Sequence, residues 1–389
     1  MESEKKREIN SKEEKQELKD IQFVQELGLL SKKKKCSKCD KECELKFRFR
    51  DSKACKRIVN WRCNKCGATA SLFTGTFFQL FRKPLREITI VIKCWAVELT
   101  VNKTISILAL AGIKMDRHTV GKIFNHLRNV CSVALDKKNI KLGGKSKVVE
   151  IDESLYARVK HNVGKDLSRK QVWCFGLVDR VSGSCYLHIV PNRTAQVLLG
   201  VLYDHTLPYS FINSDKWASY DRLSKLHDDT IVHKSVNHSL NFVDPTNGAC
   251  TNKVESYWNV CKIKFKDIRG CGRMQIQGYI DEFMWRKNNC LTREEAFIKI
   301  LKEIAKLYSP QTTDTKILEI DAEIQQTVAN INNIADENDD EYDDEDNENG
   351  DDEEEEIVES EQLHFCLNDM NTEVASNSSE VASNSEMKE

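Results

Sequence analysis

Two short apolar runs that each end in aspartate constrain this chain more than any other feature. Lys147-Val-Val-Glu-Ile-Asp152 and Phe211-Ile-Asn-Ser-Asp215 have the apolar, β-branched character of buried strands that surface at a carboxylate. About forty residues beyond the second, Asn252-Lys-Val-Glu255-Ser-Tyr-Trp258 supplies a third acid on a helical pattern. Such a set predicts an α/β fold in which two strand ends and one helix converge. Hard divalent cations such as Mg²⁺ take oxygen ligands from a few carboxylates. Two of them, about 4 Å apart, serve the attacking and leaving oxygens of a phosphoryl displacement. Asp152, Asp215 and Glu255 are therefore candidate ligands for two Mg²⁺ or Mn²⁺ ions.

Strand alternation puts Glu150, Asp152 and Ser154 on one face and Ile151, Glu153 and Leu155 on the other. Asp152 and Glu153 then do not serve one metal from a regular strand, and Glu153 is assigned a structural role. On the Glu255 helix, Trp258, Lys262 and Lys266 follow at roughly i+3, i+7 and i+11, so a carboxylate and two candidate DNA-contacting lysines share a face. Asn252 is an alternative oxygen ligand.

The formal net charge of -2 conceals a segregation. Residues 1–310 hold 57 Lys and Arg against 34 Asp and Glu, a surplus of 23, whereas residues 311–389 hold 2 against 27, a deficit of 25. A basic body argues for a polyanionic partner, whose counterions Lys and Arg displace. No apolar run reaches the roughly 20 residues a membrane span needs, and the charged N-terminus lacks a signal-peptide core. The expectation is a soluble intracellular protein without a membrane partner. Its 15 cysteines are then read as metal ligands before disulfides.

Residues 1–31 are a charged, helix-prone segment, followed by the run Lys32–Lys35, which serves as a nuclear address, a phosphate contact or a solvated linker. Cys36-Ser-Lys-Cys39 and Cys63-Asn-Lys-Cys66 are two knuckles 23 residues apart, the spacing of a structural Zn²⁺ ribbon over residues 32–75. Cys43 and Cys55 are surplus to it. Residues 80–140 carry three helical patterns. A glycine turn at Gly112 precedes a basic third helix with Arg117, His118, Lys122, His126 and Arg128 on its polar side, which resembles a helix-turn-helix DNA-binding unit. From residue 145 to 308 the order is three strands, helix, strand, helix, strand, helix: a ribonuclease H-like mixed sheet flanked by helices. Residues 311–389, increasingly Asp- and Glu-rich, are expected to be a disordered acidic tail.

Val149-Glu-Ile-Asp152-Glu, Asn213-Ser-Asp215-Lys-Trp-Ala-Ser-Tyr220, Val236-Asn-His238-Ser and Thr251-Asn-Lys-Val-Glu255-Ser-Tyr-Trp258 together resemble the DDE transposase domain of Merlin and ISXO2-like elements. The resemblance spans about residues 145–290 and includes an upstream zinc ribbon. It implies metal-carboxylate roles for Asp152, Asp215 and Glu255, and a position near the site for His238. It also implies a homo-oligomer holding DNA element ends and target, and nuclear localisation in a eukaryote. Cys250 stands where relatives commonly carry His. Two other readings are a domesticated DNA-binding regulator without catalysis and a ribonuclease H-like nuclease without strand transfer.

Overall fold

The computed structural model describes residues 2–51, 56–157, 171–237, 242–310 and 314–333. The helix α1 (Glu2–Glu26) leads into a four-stranded antiparallel sheet, β1 (Lys34–Lys35), β2 (Glu42–Asp51), β3 (Lys56–Cys63) and β4 (Thr69–Ser71), ordered β1-β2-β3-β4. Both Cys-x-x-Cys turns lie at one end of this sheet, since Cys43 pairs with Lys34 on one side and Cys63 on the other.

Three helices follow: α2 (Leu85–Ala96), α3 (Val101–Leu110) and α4 (Arg117–Ala134). The α3–α4 turn passes through Gly112 at φ +72, a left-handed conformation that favours glycine. Asp116 caps α4 by accepting the Thr119 amide at 2.8 Å. Most of α4 beyond its first turn is buried. Its polar side is therefore divided: Arg117, His118 and Lys122 are exposed, whereas His126 and Arg128 are buried. His126 Nε2 lies 3.2 Å from the Asp321 carboxylate in a buried contact, and Arg128 stacks on Tyr279 at 4.1 Å.

The second sheet begins after a short parallel pair, β5 (Leu142–Gly143) with β9 (Thr206–Leu207). Its strands are β6 (Val148–Ala157), β7 (Val172–Asp179), β8 (Cys185–Val190), β10 (Phe211–Asp215) and β11 (Val232–Val236), in the spatial order β11-β10-β6-β7-β8. β6, β7 and β8 form an antiparallel meander, and β10 and β11 add parallel to β6. This is the ribonuclease H-like arrangement. Helix α5 (Ala195–His205) and the short α6 (Leu226–Asp229) lie between strands in sequence. Then come α7 (Asn252–Asp267), α8 (Ile276–Asn288), α9 (Arg293–Leu307) and α10 (Asp314–Asn333).

The pleat separates two cores. Ile151, Phe175, Leu177 and Ile212 pack with Leu198 and Leu202 of α5 on one face. Cys174, Val178, Cys185 and Leu187 pack on the other with α7 and α8, in a cluster that continues through α2, α4 and α9 to Trp61 of the ribbon sheet. The edge strand β8 is closed by α8 side chains: the amides of Cys185, Leu187 and Ile189 donate to Asn288 Oδ1 (2.7 Å), Met284 Sδ (3.0 Å) and Gln277 Oε1 (2.9 Å). Edge amides that would otherwise recruit another strand are thereby satisfied.

The acidic tail begins later than composition indicates. Residues 314–333, assigned to it from the sequence, form α10, which buries Ile317 and Ile324 and joins Asp321 to Tyr308 Oη (3.0 Å). An apolar stripe at helical spacing offsets the ordering entropy there. The expected disorder of residues 334–389 lies outside the described residues. Among those described, no helix is long and apolar enough to cross a membrane.

Candidate active site

Asn213 of β10 pairs with Glu150 of β6, so continuing the parallel register sets Asp215 beside Asp152, on the same face of the sheet. Helix α7 crosses that face. Trp258 donates its Nε1–H to Asp152 Oδ2 at 2.9 Å, and Glu255 lies one turn earlier on the same helix, accepting the Thr251 hydroxyl at 2.9 Å. Burial, then the Asp215 charge, pushes the Asp152 carboxyl up to about 7, with Glu255 adding to the rise and Trp258 opposing it. The three carboxylates thus converge within electrostatic reach of one another. Their chemistry fits divalent cations: hard oxygen donors, half-buried, whose mutual repulsion a cation would relieve.

Two residues without an assigned role in the sequence hold this geometry. Glu150 is fully buried, and its Oε2 accepts the amides of Lys253 (2.7 Å) and Val254 (3.2 Å) at the N-terminus of α7. The N-cap residue Thr251 makes no side-chain cap bond, so a strand-borne carboxylate caps the helix that carries Glu255. Arg180 Nε lies 3.3 Å from Glu150 Oε1 and Nη2 donates to Cys250 Sγ at 2.7 Å, while Asn213 Nδ2 donates to the Cys250 carbonyl at 3.3 Å. Cys250 is therefore part of the latch tying α7 to the sheet. Gly176, directly opposite Asp152 in β7, is the second such residue. A Cβ there would come within 2.4 Å of the Trp258 ring, so only glycine leaves room for the indole that bonds Asp152. A glycine within an apolar strand was the available signal for such a close approach.

Residues 141–288 match the pattern of the ISXO2-like transposase domain. An uncharacterised transposase-like protein of Haemophilus influenzae is 29% identical over 121 residues, which cover 31% of this chain and 93% of that protein. Over residues 141–288 the chain is thus similar to the ISXO2-like transposases. Among solved structures, the HTLV-2 integrase catalytic core domain in complex with magnesium is 14% identical, covering 40% of this chain and 97% of its own, with a TM-score of 0.26. The simian T-cell lymphotropic virus intasome in complex with a PP2A regulatory subunit is 16% identical, covering 51% of this chain and 74% of its own, also at 0.26.

Beside the carboxylates, Lys262 sits close enough to Asp152 to feel its charge and lies over the Tyr156 ring at 5.9 Å; burial lowers its pKa. Lys266 is exposed, and with Lys262, Tyr156 and Arg269 it lines a groove of about 350 Å³ running from the end of β6 along α7. Asn252 is exposed at the first position of α7, three residues before Glu255. His238 lies outside the described residues. His233 is turned away from the carboxylates, within hydrogen-bond distance (2.8 Å) of Ser214 Oγ. Glu153 occupies the opposite face, as alternation requires, bonded to the buried Tyr220 hydroxyl. Burial and the Asp152 charge raise its pKa to about 8, against the pull of Arg193.

The candidate helical contacts stand apart from this cluster. Arg117 donates to Asn102 Oδ1 at 2.8 Å, tying α4 to α3, and Lys122 donates to the Leu80 carbonyl at 3.3 Å; both side chains are exposed.

Cys36, Cys39, Cys63 and Cys66 form a tight cluster whose sulfurs all lie within 4.8 Å of one another, with three of the separations at 3.4, 3.4 and 3.6 Å. A tetrahedral Zn²⁺ with bonds of about 2.3 Å sets sulfurs about 3.8 Å apart, so the set is compatible with structural zinc. The Cys66 backbone amide, first among several donors, lowers Cys63 to about 6. Cys39 is pushed up to about 12 by the Cys63 thiol and burial, against the Lys41 amide. Cys43 lies near the cluster but outside this set of four, and Cys55 is outside the described residues.

Proposed function

We propose that this protein is a DDE transposase that cleaves DNA at element ends and joins the freed 3′-hydroxyl to target DNA, with Asp152, Asp215 and Glu255 as its metal-binding carboxylates. The observation that carries the reading is the convergence of those three side chains on one sheet face, with Asp152 oriented by Trp258 from the Glu255 helix. Mg²⁺ or Mn²⁺, when bound there, supplies charge neutralisation and Lewis acidity for an in-line phosphoryl displacement.

The chain's own residues do the rest. Glu150 and Arg180 fix the N-terminus of α7, so Glu255 is held on a rigid element. Trp258 fixes one Asp152 oxygen and shields it from bulk water. Lys262 and Lys266 extend a cationic path from the carboxylates, suited to the phosphates flanking the reacting one. The four-cysteine ribbon and the exposed start of α4, with Arg117 and Lys122, provide a second basic surface for end recognition. Homo-oligomerisation would bring two element ends together, and a nuclear location would follow in a eukaryotic cell.

The test is cleavage and joining of labelled DNA carrying the flanking terminal repeats, with Mg²⁺ or Mn²⁺. Asp152→Ala should abolish both reactions and spare end binding. Persistent metal-dependent cleavage by Asp152→Ala would refute the assignment.

A further inference from the structure

At the rim of the same sheet, on the Glu153 side, the Arg193 guanidinium lies 3.7 Å from the Trp173 ring centre and 5.0 Å from that of Trp217. Arg193 is exposed, and both tryptophans are half-buried. Its guanidinium makes no hydrogen bond or ion pair among the described residues; its partners there are the two indoles and, electrostatically, Glu153. An arginine stacked on aromatic faces keeps its N–H edges available while losing rotational freedom, which suits it to bidentate recognition of phosphate.

The location gives this fork a purpose. Trp217 follows Asp215 by two residues and donates its amide to the Asp215 carbonyl at 3.0 Å. Trp173 pairs with Leu155, three residues beyond Asp152 and so about 10 Å along the strand. Arg193 is thus tied through Trp217 to the end of β10 that carries Asp215, and through Trp173 to the strand beside β6. The Lys262 and Lys266 groove leaves the carboxylates on the α7 side, whereas Arg193 stands on the other layer.

We infer that Arg193, braced between Trp173 and Trp217, is a phosphodiester-binding residue for the DNA strand that leaves the carboxylate cluster on the side opposite α7. This rests on the DNA-acting reading above and adds a contact which that reading does not contain.

The experiment measures binding of the full-length, zinc-loaded protein to a fluorescent DNA duplex with a short single-stranded 3′ overhang, over a range of salt concentrations, in Ca²⁺. Arg193→Ala should weaken binding about 5- to 10-fold and reduce the magnitude of the log–log salt slope by about 1, the signature of one lost phosphate contact. Trp217→Ala keeps the charge but releases the side chain, so it should weaken binding by a smaller factor and leave the slope unchanged. Lys19→Ala, on exposed α1, is the charge-matched control. An Arg193→Ala protein that binds no worse than Lys19→Ala, with an unchanged slope, would overturn the inference and leave the transposase reading standing. Failure of the wild-type protein to bind the duplex at all would overturn both.

Discussion

The chain gathers four thiols and three carboxylates into two clusters by opposite means. In the ribbon, four thiols close to within 4.8 Å of one another at one end of a hairpin sheet, and sequence-adjacent turns supply them in pairs. On the larger sheet, three carboxylates come from β6, β10 and α7, spread over about a hundred residues. Among the described residues, only the thiols meet at such close mutual spacing. A closed four-ligand shell stabilises a fold, whereas a looser set of hard oxygens leaves coordination positions for substrate. The difference shows what each site depends on: the thiols on local turns, the carboxylates on the tertiary latch that seats α7.

The sharpest break in that comparison is Asp152→Asn. It should lower strand cleavage by about 10³-fold or more, the several kcal/mol of transition-state charge stabilisation that bound cations supply. Its zinc content and melting temperature should stay at or above wild type, because the replacement removes a buried charge repelled by Asp215 and Glu255. Unchanged cleavage would remove Asp152 from the chemistry.

Cys63→Ser should do the reverse in kind. Bound zinc should be lost and the melting temperature should fall by several degrees, since structural metal binding is folding free energy. Because Trp61 joins the ribbon to the cluster shared by α2, α4 and α9, the loss should spread beyond the ribbon in hydrogen exchange. Full zinc retention would show that these four thiols are not the shell.

Glu150→Gln probes the latch. It keeps the shape but removes the charge that caps α7 and pairs with Arg180, so it should cost about 1–3 kcal/mol in denaturant unfolding. Cleavage should fall less than in Asp152→Asn. Equal loss in both variants would mean that Glu150 acts in the chemistry itself.

The smallest expected effect is on pH dependence. Folding raises the Asp152 pKa from its ordinary carboxylate value to about 7. The folded state therefore binds the proton more tightly, and this contribution to stability is present below about pH 4 and lost as pH rises through 7. Zinc-loaded protein without Mg²⁺ or Mn²⁺ should lose about 1 kcal/mol between roughly pH 6 and 8.5 through this group, and Asp152→Asn should flatten that component. Added Mn²⁺ should do likewise. A stability that rises over this window, unaltered by the substitution, would contradict the burial of an ionising Asp152.

What the sequence disclosed divides along the same line. The cysteine knuckles, the β6 and β10 runs and the Trp258–Lys262–Lys266 face of α7 were legible, because each is a local pattern with its own period. Glu150 was placed on the correct face but without a role: its partners, the Lys253 and Val254 amides, lie about a hundred residues away. Gly176 is silent in the sequence for the same reason, since only the packed Trp258 ring explains it. Periodicity puts His126 and Arg128 on one polar side with Arg117 and Lys122, and only the packing of α8, α9 and α10 on α4 separates the buried pair from the exposed one. In α10 the charge count outweighed the spacing of Ile317, Ile320 and Ile324, which fits a buried helical stripe.

The most direct measurement compares wild type with Asp215→Ala in joining of labelled terminal-repeat DNA across a Mn²⁺ titration, with zinc content and DNA binding recorded on the same samples. Metal-dependent joining by the wild type that vanishes in Asp215→Ala, while zinc and binding persist, is the predicted result. Joining by Asp215→Ala with the wild-type metal dependence would contradict the carboxylate site at the centre of this account.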